Sequence, residues 1–195
     1  MRPSARATIE VRPSLDWRWN PAQYVSRVSV GDDTGYVVGL LDQATASLTA
    51  RLGYAFTADL ALDVYAQPFL SDGRYSAFRR VADAGAARFD DRFDRIPDAA
   101  LTYDDAGRRY GVDRDGDGTD EYDFRDPDFT VRELQSNVVL RWEYRPGSTL
   151  YVVWSQARRD DRLLQDFGLG RDAGRLLDAP STDVLIVKLS YWLGT

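Results

Sequence analysis

Hydrophobic and polar residues alternate with a period of two over much of the chain. The clearest unit is residues 136–154, SNVVLRWEYRPGSTLYVVW. Val138, Leu140, Trp142 and Tyr144 share one face. Asn137, Arg141 and Glu143 take the other, with Val139 among them. This alternation marks a strand whose two faces meet different surroundings. Arg145-Pro146-Gly147-Ser148 is a tight turn, because Pro presets φ and Gly accepts positive φ. The second run sets Leu150, Val152 and Trp154 opposite Ser155. The pattern predicts a β-hairpin as the building unit.

Other segments repeat it. Over 5–19 the odd positions (Ala5, Ala7, Ile9, Val11, Pro13, Leu15, Trp17, Trp19) carry no charge, while Glu10, Arg12, Asp16 and Arg18 fall on even positions. Asn20-Pro21 predicts a turn, and Pro13 suits an edge or a bulge. A weaker strand follows over 23–30, broken at 31–35. The next begins between Tyr36 and Ala46, with Ala46, Leu48, Ala50, Leu52, Tyr54 and Phe56 on its apolar face and Arg51 on the other. After Thr57-Ala58-Asp59, Leu60, Leu62, Val64 and Ala66 stand opposite Asp63 and Gln67. Alternation fades over 71–128, where short hairpins are expected near 75–80 and 100–103. A polar connection spans 158–180, with a helical turn in GRDAGRLLDAP. The last strand, 183–193, sets Leu185, Val187, Leu189, Tyr191 and Leu193 against Lys188 and Ser190, together with Val184, Ile186 and Trp192.

The chain is therefore expected to be all-β. Two readings share that pattern. One is an antiparallel up-and-down transmembrane β-barrel or partial barrel, of about seven to eight long strands with long external loops. The other is a soluble, secreted β-sandwich or barrel serving as a binding or adhesion module. Three features favour the first. The apolar faces carry no charge. Short and long connections alternate. Aromatics (Trp17, Trp19, Tyr54, Phe56, Trp142, Tyr144) gather beside the tight turns, with Tyr191 and Trp192 on the same side, as an interfacial girdle would. Seven segments are odd in number, whereas single-chain bacterial barrels have an even number. Residues 1–195 thus read as one β-barrel segment, the C-terminal part of a larger barrel, with 71–128 as a long acidic external loop or insertion.

Charge and composition narrow the chemistry. Of 195 residues, 25 are Lys or Arg and 31 are Asp or Glu, so 25 − 31 = −6, which does not suit nucleic acid. There is no Cys and no His. That excludes disulfides, thiolate and Ser-His-Asp chemistry, and zinc sites built on Cys or His. No apolar run reaches the roughly 20 residues of a membrane helix, and MRPSARATIE lacks the apolar core of a signal peptide. The mean hydropathy of −0.43 fits a soluble protein and equally a barrel, in which only alternate residues face lipid.

The segments LDQATASLTARLGYAFTADLALDVYAQPFL, SNVVLRWEYRPGSTLYVVWSQ and VLIVKLSYWL together resemble one family. Its members are bacterial outer-membrane barrel proteins that usually carry an N-terminal domain like family-9 carbohydrate-binding modules; the barrel part is known only as a domain of unknown function. The resemblance covers most of 36–193. It implies a Gram-negative outer-membrane location, lipid as a partner, and glycan or small-molecule uptake or binding. It implies no catalytic residue. The chain departs from the family in lacking the carbohydrate-binding-like domain and in ending at Gly194-Thr195 past Trp192.

The sharpest motif is Asp113-Arg-Asp-Gly-Asp-Gly-Thr-Asp-Glu121. Asp113, Asp115 and Asp117 alternate, with Gly118 where a calcium loop turns. The Thr119 carbonyl and Glu121 complete a candidate set, because Ca²⁺ takes six to eight oxygens. Position twelve is Phe124 rather than Glu, so the loop is nearer the short DxDGDGxxD type with Asp120 last, and weak affinity of about 10⁻⁴–10⁻³ M is expected. The competing reading is a solvated acidic loop. The charged strand faces (Glu10, Arg12, Asp16, Arg18, Arg51, Asp63, Arg141, Glu143, Lys188) would line a lumen as ion pairs or, less favoured, a transport path. Asp90-Asp91 and Asp104-Asp105 lack the scaffold that holds glycosidase carboxyls at a set separation, and Gly168-Leu-Gly170 is too short for a phosphate loop. The chain is read as non-enzymatic.

Overall fold

The computed structural model describes residues 6–31, 33–161 and 168–193. The expectations for residues 1–5, for Asp32 in the 31–35 break, for 162–167 in the polar connection and for the Gly194-Thr195 end lie outside the described residues. The fold is all-β with antiparallel pairing and one short helix. The strands are β1 (Ala7–Val30), β2 (Asp33–Ala55), β3 (Leu60–Val81), β4 (Phe93–Arg95), β5 (Leu101–Asp104), β6 (Arg109–Val112), β7 (Tyr122–Arg125), β8 (Phe129–Arg145), β9 (Ser148–Asp160) and β10 (Ser181–Ser190). The helix α1 is Leu169–Asp178. A seven-stranded sheet has the order β1-β2-β3-β8-β9-β10, with β4 on β3; a second sheet has the order β5-β6-β7. Among the described residues the large sheet is open, with β1 and β10 at its edges.

The chain divides into two compact units. The first comprises residues up to 16, 44–72 and from 130 onward. Its β8–β9 hairpin forms as the alternation predicts. β8 and β9 pair with Val138 opposite Trp154 and Leu140 opposite Val152, and Gly147 (φ 76°) completes the turn. β10 then pairs with β9, so that Leu185 meets Trp154. One face of this sheet carries Ile9, Val11, Leu52, Tyr54, Leu140, Trp142, Val152, Leu185, Val187 and Leu189, many of them exposed. No charge interrupts that face over 60–70 of β3 or 134–144 of β8. Beyond this band sits α1, where Leu176 packs on Ala46 and Leu70, with Leu134 alongside.

The second unit comprises 17–43 and 73–129. Its core joins Val28, Val37, Phe78, Ile96, Val112, Tyr122 and Phe124. The Phe78 and Phe124 rings meet edge-on at 5.0 Å, and Tyr110 stacks on Phe124 at 5.4 Å. Burying each Phe contributes on the order of 1.5–3 kcal/mol.

Several expectations are corrected. The predicted Asn20-Pro21 turn does not occur; 7–19 and 23–30 belong to the single strand β1. Asn20 Oδ1 accepts the Ala22 N–H (3.1 Å) and its Nδ2 donates to Gln23 Oε1 (2.9 Å), so the side chain meets local polar groups without reversing the chain. An edge strand tolerates proline, because the missing N–H need not serve a ladder. The seven predicted segments therefore become six long strands, and short β4 falls in none of them. Trp17 and Trp19 lie within β1 rather than beside a tight turn. The expected 75–80 hairpin is the continuation of β3, whose alternation is disturbed where Ala77 takes φ 48°. Residues 71–128, expected as an external loop or insertion, complete β3 and carry β4–β7 and most of a core.

Candidate metal centre

The acidic motif is the loop of the β6–β7 hairpin. Its base is anchored in the core of the second unit, where Val112 pairs with Tyr122 and both are buried. The Glu121 N–H donates to the Val112 carbonyl and the Asp113 N–H to the Ala100 carbonyl, each at 2.9 Å. Gly116 (φ 76°) and Gly118 (φ 87°) take the left-handed conformation that side-chain-bearing residues avoid. The loop is thereby curled back on itself.

The curl turns three carboxylates toward one another. Asp113 accepts the Gly116 N–H (2.7 Å) on Oδ1 and the Gly118 N–H (2.9 Å) on Oδ2. Asp115 Oδ1 accepts from Asp117 N (3.2 Å), and Asp117 Oδ1 from Thr119 N (2.8 Å). One oxygen from each of Asp113, Asp115 and Asp117 lies within 4.8 Å of the others. An ionised carboxylate has about four acceptor sites, so these bonds leave lone pairs for an ion. Three anions this close repel, and a hard divalent cation relieves that repulsion.

The remaining predicted ligands are placed differently. Thr119 is tied in through its N–H. Glu121 Oε2 accepts the Arg114 N–H (2.7 Å). Asp120 is turned away to Thr102 Oγ1 (3.2 Å). The structure thus brings Asp113, Asp115 and Asp117 together and gives Glu121 a loop-closing bond.

A neighbouring network escaped the sequence reading. Arg108 takes φ 50° in the β5–β6 turn, unusual for a residue with a side chain. Its guanidinium donates to Asp126 Oδ2 (3.0 Å) and the Asp128 carbonyl (3.3 Å), and the Tyr103 hydroxyl donates to the same Asp126 oxygen (2.9 Å). The Asp126 acceptor holds the Tyr103 phenol above its ordinary pKa. Arg109, paired with Asp123 across β6 and β7, holds that carboxyl below the usual carboxylate range. Nothing in the local pattern signals these pairs, because they join residues 14 to 23 positions apart.

In the first unit the polar sheet face forms an open groove of about 370 Å³, lined by Thr8, Glu10, Arg51, Asp63, Tyr65 and Asn137 among others. Glu10 pairs with Arg12 and lies 3.9 Å from Arg51, which stands over the Tyr65 ring at 5.5 Å. Glu143 does not join them; its Oε1 accepts the Gly147 N–H (3.0 Å) and closes the β8–β9 turn. Tyr191 and Trp192 gather at that turn: Arg145 donates to the Tyr191 hydroxyl (3.0 Å), and Trp192 N to Ser148 Oγ (3.0 Å).

No curated protein and no solved structure matches the chain significantly. Over residues 1–194 the chain belongs to the family described as Domain of unknown function (DUF5916).

Proposed function

We propose that the chain is a non-enzymatic segment of a bacterial outer-membrane β-barrel, with lipid as its obligatory partner and an external loop that binds Ca²⁺ weakly. One observation carries the membrane reading. The uncharged face of the first unit is exposed at Ile9, Val11, Leu52, Tyr54, Trp142 and Trp154 and half-buried at Leu140 and Val152 between them. A soluble sandwich would cover such a face, since contiguous exposed apolar patches beyond a few hundred Å² mark an interaction surface. The band has the dimensions lipid requires: 134–144 on β8 and 60–70 on β3 correspond to the roughly 9–11 residues of a tilted membrane strand. Trp142 and Tyr144, with Tyr191 and Trp192, then form the girdle at the tight-turn end.

The polar groove on the other face suits glycan or small-molecule binding or uptake, with Glu10, Arg51 and Asp63 toward a lumen. The resemblance to barrel proteins that carry an N-terminal family-9-like carbohydrate-binding domain favours a glycan over other ligands, by analogy alone. The alternative, a soluble secreted β-module with a calcium loop, rests on the same alternation. Cell fractionation with gel mobility of heated and unheated samples separates the two. A barrel segment stays with the membrane until detergent is added and shifts on heating; extraction by salt alone overturns the barrel reading.

A further inference from the structure

Helix α1 is held firmly on the sheet yet leaves apolar side chains in the open. Asp172 lies 3.4 Å from Arg132 Nε, and its other oxygen accepts the Gly168 N–H (2.9 Å). At the other end Arg158 donates to the Leu177 and Ala179 carbonyls, satisfying the last groups of the helix. Leu176 is buried by this docking. Leu169 and Leu177 remain 50% and 62% exposed on the side of α1 that carries Ala173. Between that side and the strands runs an open groove of about 390 Å³, walled by Leu15, Leu48, Pro68, Leu70, Leu169 and Ala173. The groove lies on the same sheet face as the uncharged band and continues it. Arg171, whose Nε lies 3.4 Å from Asp172, and Arg175 fall on the opposite side of the helix, with Asp178 beside them.

Hydrocarbon on one side, a charged side that carries two arginines on the other, and a position at the rim of an apolar band are the attributes of a helix lying in a bilayer interface. We infer that α1 is an interfacial anchor for an anionic lipid surface. Leu169, Leu177 and the groove take acyl chains, while Arg171 and Arg175 meet phosphate headgroups. This rests on the membrane reading of the sheet and adds a lipid class and a second contact to it.

The absence of native Cys makes the test direct. Single variants Leu177→Cys, Arg175→Cys and Leu140→Cys of the full chain are spin-labelled and reconstituted in phosphatidylglycerol or phosphatidylcholine vesicles. Collisions with oxygen, which concentrates in lipid, are compared with those of a water-soluble nickel chelate. The expected result is a lipid-exposed label at 177, a water-exposed label at 175, and severalfold greater lipid exposure at 177 in phosphatidylglycerol, lost in Arg171→Glu/Arg175→Glu. A water-exposed label at 177 beside a lipid-exposed label at 140 overturns the anchor and leaves the barrel segment standing. A water-exposed label at 140 overturns both. Equal exposure at 177 in the two lipids overturns the anionic preference.

Discussion

At the level of single residues, the acidic loop and its neighbours carry the chemistry. If Asp113, Asp115 and Asp117 hold Ca²⁺, titration calorimetry at millimolar calcium gives heat that Asp115→Ala and Asp117→Ala each remove; heat that survives both, or none in the parent, ends the calcium reading. The Tyr103–Asp126–Arg108 cluster makes a pH prediction. The Tyr103 pKa is raised in the folded state. Its contribution is therefore complete below the ordinary tyrosine pKa near 10 and is lost as pH climbs through the higher folded value. Alkaline unfolding of the parent should thus show a dependence that Tyr103→Phe lacks, followed by tyrosinate absorbance and circular dichroism. Gly73 is a packing counterpart: a Cβ there would run into the Phe129 ring. Gly73→Ala should lower stability by roughly 1–3 kcal/mol, as overpacking does, read from the urea midpoint.

At the level of elements, α1 depends on a buried charge cluster. Arg132 is 1% exposed, 3.5 Å from Asp160 and 3.4 Å from Asp172. Removing one member strands charge in a poorly solvated place, at a cost of about 3–5 kcal/mol. Arg132→Leu should be destabilised by that order in urea, whereas the triple variant Arg132→Leu/Asp160→Leu/Asp172→Leu should recover much of the loss. Equal loss in both would show that shape, and not charge, is what the site requires. The same level bears on the two prolines of β1: among the described residues this strand pairs with β2 alone.

At the level of the whole molecule, the decisive property is the direction of the sheet faces. Leu140 and Val139 are neighbours on β8 but face opposite ways. In the barrel reading Leu140→Lys costs roughly 2–4 kcal/mol by placing a charge toward lipid. It should therefore reduce the heat-modifiable membrane form strongly, while Val139→Lys on the polar face is tolerated. Equal effects would speak against lipid on the Leu140 side.

Strand identity was legible because side-chain direction alternates locally, whatever lies elsewhere in the chain: the 136–154 hairpin, its turn and the uncharged face could be read residue by residue. So could the Asp113, Asp115, Asp117 spacing, since a single loop contains it. Strand extent was not legible. Asn20-Pro21 has the composition of a turn, and only its place at a sheet edge lets β1 pass through it. Residues 71–128 look like an acidic loop because their strands are short and Ala77 disturbs the period; Phe78, Val112, Tyr122 and Phe124 become a core only when residues far apart in the chain meet. The Arg132–Asp160–Asp172 cluster and the seat of α1 belong to that second class. A period is a property of neighbours along the chain, whereas burial and charge pairing are properties of neighbours in space.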